Sequence, residues 1–495
     1  MNRLATLRQV FDFSDQPARF RLEFSERKFL LRLGDLSLIA IGIFVALYLW
    51  SYLASYTFDL SLIRLQASWI ALIAGAWFAW LYLSDLYDLK KAVRVRDCIR
   101  LIGLGAAVIA VLYISYFFVR AIPLTPGSLV PPISNEGQTP LRLAPGLAIV
   151  LTTLLLGLWR AAYAVVWGGP HLRRRILVMG AGAAGTSLAA VLNNHAHFDL
   201  VGFVDDDPNK QGLRVNNCAV LGKHTDMLRL AEQYSVDELV IAISAEARGT
   251  LFQAIMDCHE RGVAITPMPL LYEQLTGRIP VEHIGSQWYV ALPFEPRSFN
   301  SVTRILKRGL DIVGGLVFGL IFGLAFPFVA LAIKLDSKGS IFYSQERMGL
   351  HGQRFTVVKF RSMVKDAERD GKAQWAVKND ARITRVGAFI RKTRLDELPQ
   401  VLNVLRGDMS LVGPRPERPQ FIDKLQKHIP FYRTRLAAKP GLTGWAQVNY
   451  GYGSTTEDAL IKLQYDLFYL KHQSAWFDLK ILLRTVSVVL KMKGQ

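Results

Sequence analysis

At 495 residues the chain is long enough for about three domains of ordinary size. Its composition, 51% hydrophobic against 20% charged with a mean hydropathy of +0.23, excludes a disordered protein and makes membrane segments the first expectation. The 59 Lys and Arg against 40 Asp and Glu leave a formal charge of +19, which on so apolar a chain points to anionic lipid or phosphate rather than to a nucleic-acid partner.

Uncharged runs at Leu36–Phe58, Leu65–Ser84, Leu101–Val119 and Leu143–Trp159 each approach the roughly 20 residues that cross a hydrocarbon core. They predict a four-helix transmembrane bundle over residues 31–168, preceded by a polar segment, 1–30. Basic residues crowd that segment (Arg19, Arg21, Arg27, Lys28, Arg32), the second loop (Lys90, Lys91, Arg94, Arg96, Arg100) and the exit (Arg173, Arg174, Arg175), which places these sides in the cytoplasm. The Pro-rich, sparsely basic loop Arg120–Arg142 belongs outside. A polar N-terminus argues against a cleaved signal. The cysteines, Cys98, Cys218 and Cys258, are too few and too dispersed for a disulfide framework or a zinc site and fit a reducing compartment.

From Arg175 short β-rich runs (176–180, 201–204, 238–243, 263–266) alternate with helical stretches, predicting a Rossmann-like parallel α/β domain over 172–298. The first strand enters Gly180-Ala181-Gly182-Ala183-Ala184-Gly185 and the second ends in Asp205-Asp206-Asp207. Gly180, Gly182 and Gly185 stand where a dinucleotide fingerprint sets pyrophosphate on a helix N-terminus. They could equally serve only a tight turn and close helix packing.

After a Pro-containing linker, Leu292–Ser298, a fifth apolar run extends from Ile312 to Ile333, flanked by Arg304, Lys307 and Arg308 and by Lys334. Spanning would carry a strongly basic C-terminal region outside, against the positive-inside bias, so a re-entrant membrane helix over 300–340 is expected, bending at Pro327. Lys307, Arg308 and Asp311 read as its anchor at the membrane edge, Lys307 and Asp311 one turn apart as a local ion pair.

The C-terminal region concentrates Gly, Pro and charge in Lys359-Phe360-Arg361-Ser362-Met363, Leu395-Asp396-Glu397-Leu398-Pro399-Gln400, Gly413-Pro414-Arg415-Pro416 and Lys439-Pro440-Gly441-Leu442-Thr443-Gly444-Trp445. Leu398, Val401, Leu402 and Leu405 give a helical apolar face for which Asp396 is placed as N-cap, so the carboxylate pair is expected at a helix start. A phosphate and a divalent cation suit such a position; so does a plain structural cap.

These motifs, in the order KFRSM, LDELPQVLNVLRGDMSLVGPRP and KPGLTGWAQV and preceded by KRGLD, resemble the bacterial sugar transferase superfamily of polyprenyl-phosphate hexose-1-phosphate transferases, from Ser301 to the end. The upstream bundle and α/β domain resemble its large-membrane subgroup. The resemblance implies a catalytic domain over 341–495 that transfers a hexose 1-phosphate from a UDP-sugar to undecaprenyl phosphate in the bacterial inner membrane, releasing UMP on the cytoplasmic side and starting an exopolysaccharide, capsule or O-antigen unit. It implies Asp396 as nucleophile, Glu397 as ligand of Mg2+, and Lys359, Arg361 and Arg415 as phosphate-binding cations; it also allows a homodimer. Asp408, Asp466 and Asp478 are weaker candidates, each able instead to cap a helix or pair with Lys471 or Lys480. The stretch Val448–Gly453 departs from glucose-1-phosphate members, which leaves the sugar open. The tail Phe477–Met492 suits either a membrane interface or a packed helix. The competing reading is a membrane-bound nucleotide-sugar oxidoreductase, epimerase or sensor built on the glycine fingerprint, after which no Tyr-x-x-x-Lys follows.

Overall fold

The computed structural model describes residues 24–55, 57–121, 143–167, 173–195, 197–243, 248–283, 301–364, 380, 382–451, 453 and 455–490. The expected polar segment before residue 24, the Pro-rich outer loop after residue 121, the linker Leu292–Ser298, Tyr452 and the end of the tail lie outside these residues. The chain divides into two compact units, one essentially Met1–Arg174 and the other most of the chain from Arg175 to Gln495.

The first unit is a bundle of α1 (Phe24–Leu53), α2 (Leu60–Leu83), α3 (Val95–Ala121) and α4 (Leu143–Trp167). Asp59 starts α2 as an N-cap, its Oδ1 accepting from the Leu62 amide at 2.9 Å. Each helix runs beyond its uncharged stretch at one end or both, while α1 stops at Leu53, short of Phe58, because a helix ends where its caps lie and not where the first charge falls. In α1 and α4 the overrun matters: Asp35 and Arg160, each just beyond an uncharged run, meet inside the bundle with Arg160 Nη2 2.5 Å from Asp35 Oδ2 and neither side chain exposed. Arg160 Nη1 also donates to the Leu86 carbonyl at 2.7 Å. Gly42 admits the close crossing of α1 and α4, since a Cβ there would stand 2.6 Å from Thr152 Oγ1.

The second unit begins with a six-stranded sheet of order β3-β4-β2-β1-β5-β6. Its strands are β1 (Arg174–Met179), β2 (Phe198–Val204), β3 (Arg214–Val215), β4 (Cys218–Gly222), β5 (Glu238–Ile241) and β6 (Ala264–Pro267), with α5 (Ala183–Leu192), α6 (Met227–Gln233), α7 (Thr250–Glu260) and α8 (Met268–Thr276) between or after them. The sheet is mixed and not purely parallel as expected. β3 and β4 form an antiparallel edge hairpin through Asn216 (φ 49°) and Asn217 (φ 69°), two residues of a type that tolerates the left-handed turn.

The same unit continues into α9 (Ser301–Asp336), one unbroken helix with Pro327 inside it. Among the described residues five helices, α1 to α4 and α9, are long and apolar enough to cross a membrane. One stripe of α9 is inward: Asp311, Gly315, Val329, Ala330 and Ile333 are buried, while Val313, Leu320 and Phe328 are 63–75% exposed on the other side. Near its C-terminal end Phe326 stacks on Phe342, which stacks on Phe360 with centroids 5.5 Å apart.

The remaining elements are the antiparallel pair β7 (Phe342–Met348) and β8 (Arg354–Phe360), then α10 (Arg385–Lys392), a 3-10 segment Leu395–Gln400, α11 (Val401–Arg406), β9 (Ser410–Val412), α12 (Pro419–Leu425), β10 (Gly441–Thr443) parallel to β9, α13 (Trp445–Asn449), α14 (Thr456–Lys471) and α15 (Ala475–Leu490). The α/β and C-terminal parts are joined through α8: Glu273 accepts from Lys471 Nζ at 2.9 Å and contacts His472 Nε2 at 2.6 Å, and Trp445 Nε1 donates to the Gly277 carbonyl at 2.9 Å.

Candidate active site

Three backbone devices bring the polar motifs together. Thr384 caps α10 by accepting from the Gly387 amide at 3.0 Å, and Gly387 lies so close to Ser362 that a Cβ would overlap its carbonyl oxygen. That contact fixes the chain leaving KFRSM against the helix that leads into LDELP. Arg394 comes next at φ 62°, a left-handed conformation that costs a side-chain-bearing residue about 1–2 kcal/mol, and turns the chain sharply into Leu395–Gln400. Third, β9 and β10 place GPRP and KPGLTG back to back. Gly413 donates to the Thr443 carbonyl and Gly441 to the Pro414 carbonyl, both at 2.9 Å. A Cβ on Gly413, Gly441 or Gly444 would overlap the facing main chain.

Asp396 is not the N-cap expected. Arg394 holds the cap position, and Asp396 lies in the first turn of the 3-10 segment, with α11 beginning only at Val401. Pro399 explains the difference: it lacks an N–H and crowds the preceding turn, so the lead-in winds tighter than an α-helix. The Asp396 side chain is thereby released from capping. It is half-buried, with no hydrogen-bond partner among the described residues.

Glu397 is buried and held by two cations. Lys359 Nζ donates to its Oε1 at 2.9 Å and Arg415 Nη2 to the same oxygen at 2.6 Å, while Oε2 has a longer contact with Arg415 Nη1 at 3.4 Å. The electrostatics of the two neighbours therefore diverge. Burial, reinforced by the adjacent Glu397 charge, pushes the Asp396 carboxyl up to about 6. Burial would raise Glu397 too, but Arg415 and Lys359 outweigh it and hold that carboxylate well below its usual range.

Arg391 acts on Asp396 and Arg394 on Glu397 at longer range, so four cations surround the pair. Neither arginine was singled out from sequence, although RKTR stands directly before LDELP. Arg361 points elsewhere: it is buried and donates to the Ser337 carbonyl at 2.8 Å and the Lys338 carbonyl at 3.1 Å, at the end of α9.

The residues expected to anchor the helix at the membrane edge turn inward instead. Lys307 Nζ donates to Asp478 Oδ2 (2.7 Å), the Val412 carbonyl (2.9 Å) and Tyr469 OH (3.0 Å). Arg308 donates to the Val404 and Leu405 carbonyls at 2.8 and 2.7 Å. Asp311 makes no local pair with Lys307; its Oδ1 accepts from Ser410 Oγ at 2.9 Å and the Leu411 amide at 2.8 Å. Buried carbonyls and a buried carboxylate need donors more than the interface needs a snorkelling lysine, so the local pair gives way.

Nor do the weaker aspartates find the lysines proposed for them. Asp478 takes Lys307, Asp466 takes Arg435 at 2.7 Å, Lys471 goes to Glu273, and Lys480 lies over the Trp445 ring at 5.5 Å. Asp408 has a long contact, 3.4 Å, with Asn403 Nδ2.

In the α/β domain Gly180 has φ 104°, and a Cβ on Gly185 would overlap the Gly180 carbonyl, whereas Gly182 has open space around it. Asp205 just after β2 closes the turn, its Oδ2 accepting from the Ala181 amide at 2.8 Å and Lys210 Nζ at 3.0 Å. Two of the three glycines thus meet a conformational or packing requirement without a ligand.

No cluster of three or more His, Cys, Asp or Glu suited to a metal occurs among the described residues. Magnesium does not require one, since it binds through one or two carboxylates completed by substrate phosphates and water. The weakly engaged Glu397 Oε2 fits that demand. Together these residues place a carboxyl without a hydrogen-bond partner beside a cluster of cations suited to a phosphate.

The sequence model of the family described as bacterial sugar transferase matches residues 302–492, and one described as a CoA-binding domain matches 146–269. The chain is 41% identical over 233 residues to a UDP-N-acetylgalactosamine-undecaprenyl-phosphate N-acetylgalactosaminephosphotransferase of Aeromonas hydrophila, covering 47% of this chain and 54% of that protein. It is 46% identical over 275 residues to a UDP-glucose:undecaprenyl-phosphate glucose-1-phosphate transferase of Xanthomonas campestris pv. campestris, covering 55% and 57%. To the protein of the same description in Escherichia coli it is 34% identical over 318 residues, covering 63% of this chain and 67% of that one. The chain thus spans a little over half the length of the first two relatives.

Proposed function

The chain belongs to the bacterial sugar transferase family, and from that premise we propose that it transfers a hexose 1-phosphate from a UDP-sugar to undecaprenyl phosphate, releasing UMP, as the first membrane step of exopolysaccharide, capsule or O-antigen synthesis. The observation that carries this reading is the asymmetry of the carboxylate pair: Glu397 is neutralised by Lys359 and Arg415, while Asp396 beside it has no hydrogen-bond partner among the described residues.

In this reading the ionised Asp396 attacks the phosphorus that bears the sugar. An aspartyl-to-phosphorus bond forms, the bond to the bridging oxygen breaks, and that oxygen leaves on UMP. A phosphate oxygen of the lipid then attacks the same phosphorus and returns Asp396 as carboxylate. Arg415, a planar fork of donors, and Lys359 hold the diphosphate and exchange Glu397 for it as substrate enters. Arg361 supports the site from behind by tying the end of α9. Bound through Glu397, Mg2+ would offset the charge of the diphosphate beside two carboxylates.

The test is a half-reaction. Given a UDP-sugar and Mg2+ but no lipid acceptor, the protein is expected to release up to one UMP per active site and to gain the mass of one hexose phosphate. UMP that appears only with acceptor, without a trappable adduct, would instead support direct transfer. A panel of UDP-sugars in the same assay identifies the hexose.

The proposed organisation is a cytoplasmic segment 1–30, a spanning bundle 31–168, an α/β domain 172–298, a re-entrant helix 300–340 and a cytoplasmic catalytic domain 341–495 in the inner membrane. Re-entry is supported by the packing of α9: Lys307 and Gly315 near one end and Phe326 and Ile333 near the other all lie against the C-terminal domain. One domain lying along both halves of the helix favours keeping its two ends on the same face of a core about 30 Å thick. Tags before Arg19 and after Gln495 are expected to be shielded together from a membrane-impermeant label. Labelling of the C-terminal tag alone would establish a full crossing.

A further inference from the structure

Behind the GPRP loop lies a cation that the proposed reaction does not use. Arg435, 5% exposed, belongs to the 3-10 segment Tyr432–Ala437. Its Nη2 donates to the main-chain carbonyl of Arg415 at 3.0 Å and stands 2.7 Å from Asp466 Oδ2, while Nη1 donates to Tyr432 OH at 2.9 Å. Asp466, 1% exposed on α14, supplies the counter-charge that lets a guanidinium stay buried.

The grip falls at a point with leverage. Arg415 stands between Pro414 and Pro416, whose rings fix their own φ, and Arg347 Nη1 holds the next carbonyl, that of Pro416, at 3.1 Å. With the flanking dihedrals restricted, the orientation of the Arg415 peptide largely sets the direction in which its side chain leaves. That side chain reaches Glu397 at 2.6 Å. We infer that Arg435, with Asp466 as its counter-ion, is a positioning residue for Arg415, holding its main chain so that its guanidinium meets the diphosphate of the incoming nucleotide sugar. A lysine at 435 keeps the charge opposite Asp466 but lacks the fork that serves carboxylate, carbonyl and phenol together.

This inference rests on the function proposed above, and the experiment separates the two. UMP release is measured on the full chain in detergent against UDP-sugar concentration for the unaltered protein, R435K, R415K and the double variant. R435K is expected to raise KM for the UDP-sugar about tenfold with kcat changed less than about threefold, the pattern of a lost binding interaction. In the R415K background the same change is expected to shift KM less than about twofold, because the residue it positions is already altered. Equal fold-changes in both backgrounds, or an unchanged KM with only a smaller folded fraction, overturn the inference. Should R435K not fold, D466N carries the same comparison with the buried arginine still present. No UMP from the unaltered protein with any UDP-sugar would overturn the proposed function itself.

Discussion

Replacement of Asp396 by asparagine is expected to lower turnover by on the order of 10^4-fold or more, the scale seen when a nucleophile is removed, and to abolish the covalent phospho-sugar on the protein. The amide keeps the size of the carboxyl but has no charge with which to attack. Its stability should move the other way. A carboxyl pushed up to about 6 by burial and by Glu397 resists ionisation in the folded state. The resulting penalty grows as pH rises from the ordinary aspartate range to about 6 and is complete above it, so at neutral pH the neutral asparagine relieves it. Asp396→Asn should therefore be inactive yet unfold at a higher temperature than the unaltered protein. Adduct formation by the latter should fall as pH drops below about 6, since only the ionised form attacks. An acid limb at the ordinary aspartate value, or an active asparagine variant, would remove Asp396 from the nucleophile's role.

Lys307→Met is expected to be strongly destabilising. It leaves Asp478, 1% exposed, as a buried charge without its cation, and takes a donor from Val412 and Tyr469. Breaking a buried pair from one side costs about 3–5 kcal/mol, whereas replacing both partners by apolar groups is often neutral. The thermal midpoint in detergent should fall for Lys307→Met and recover by more than half in the Lys307→Met/Asp478→Leu double variant. Equal midpoints for Lys307→Met and the unaltered protein would show that the lysine is not needed to hold α9.

What the sequence made legible was whatever depends on local pattern. Uncharged runs located helices long and apolar enough to cross a membrane, strand–glycine–helix order located the α/β fold, and long motifs located the cluster around Glu397. What it concealed depends on partners distant in the chain. Asp35 and Arg160 looked like the borders of two apolar runs and form one buried pair. Lys307 and Asp311 looked like partners because they are one turn apart, yet each is claimed by a group about a hundred residues or more away. The edge hairpin of β3 and β4 had a local signal in Asn216-Asn217, which a reading guided by apolar runs passes over. Arg394 had none: nothing in its neighbours announces that a residue with a side chain will occupy a left-handed turn at the edge of the site.

If the acceptor arrives in a lipid leaflet, as the proposed function requires, the inward bonds of Lys307, Arg308 and Asp311 have a further effect. They bolt strand β9 and helix α11, and through them the carboxylate pair, to one stretch of α9. In that reading the altitude of the chemistry above the hydrocarbon is set by the helix. Because the same domain also packs on Phe326 and Ile333, one residue added between Asp311 and Pro327 would put the two contacts out of register by about 1.5 Å in height and about 100° in heading. Height and heading cannot be tuned separately, so the length of this segment can drift only in steps that restore both.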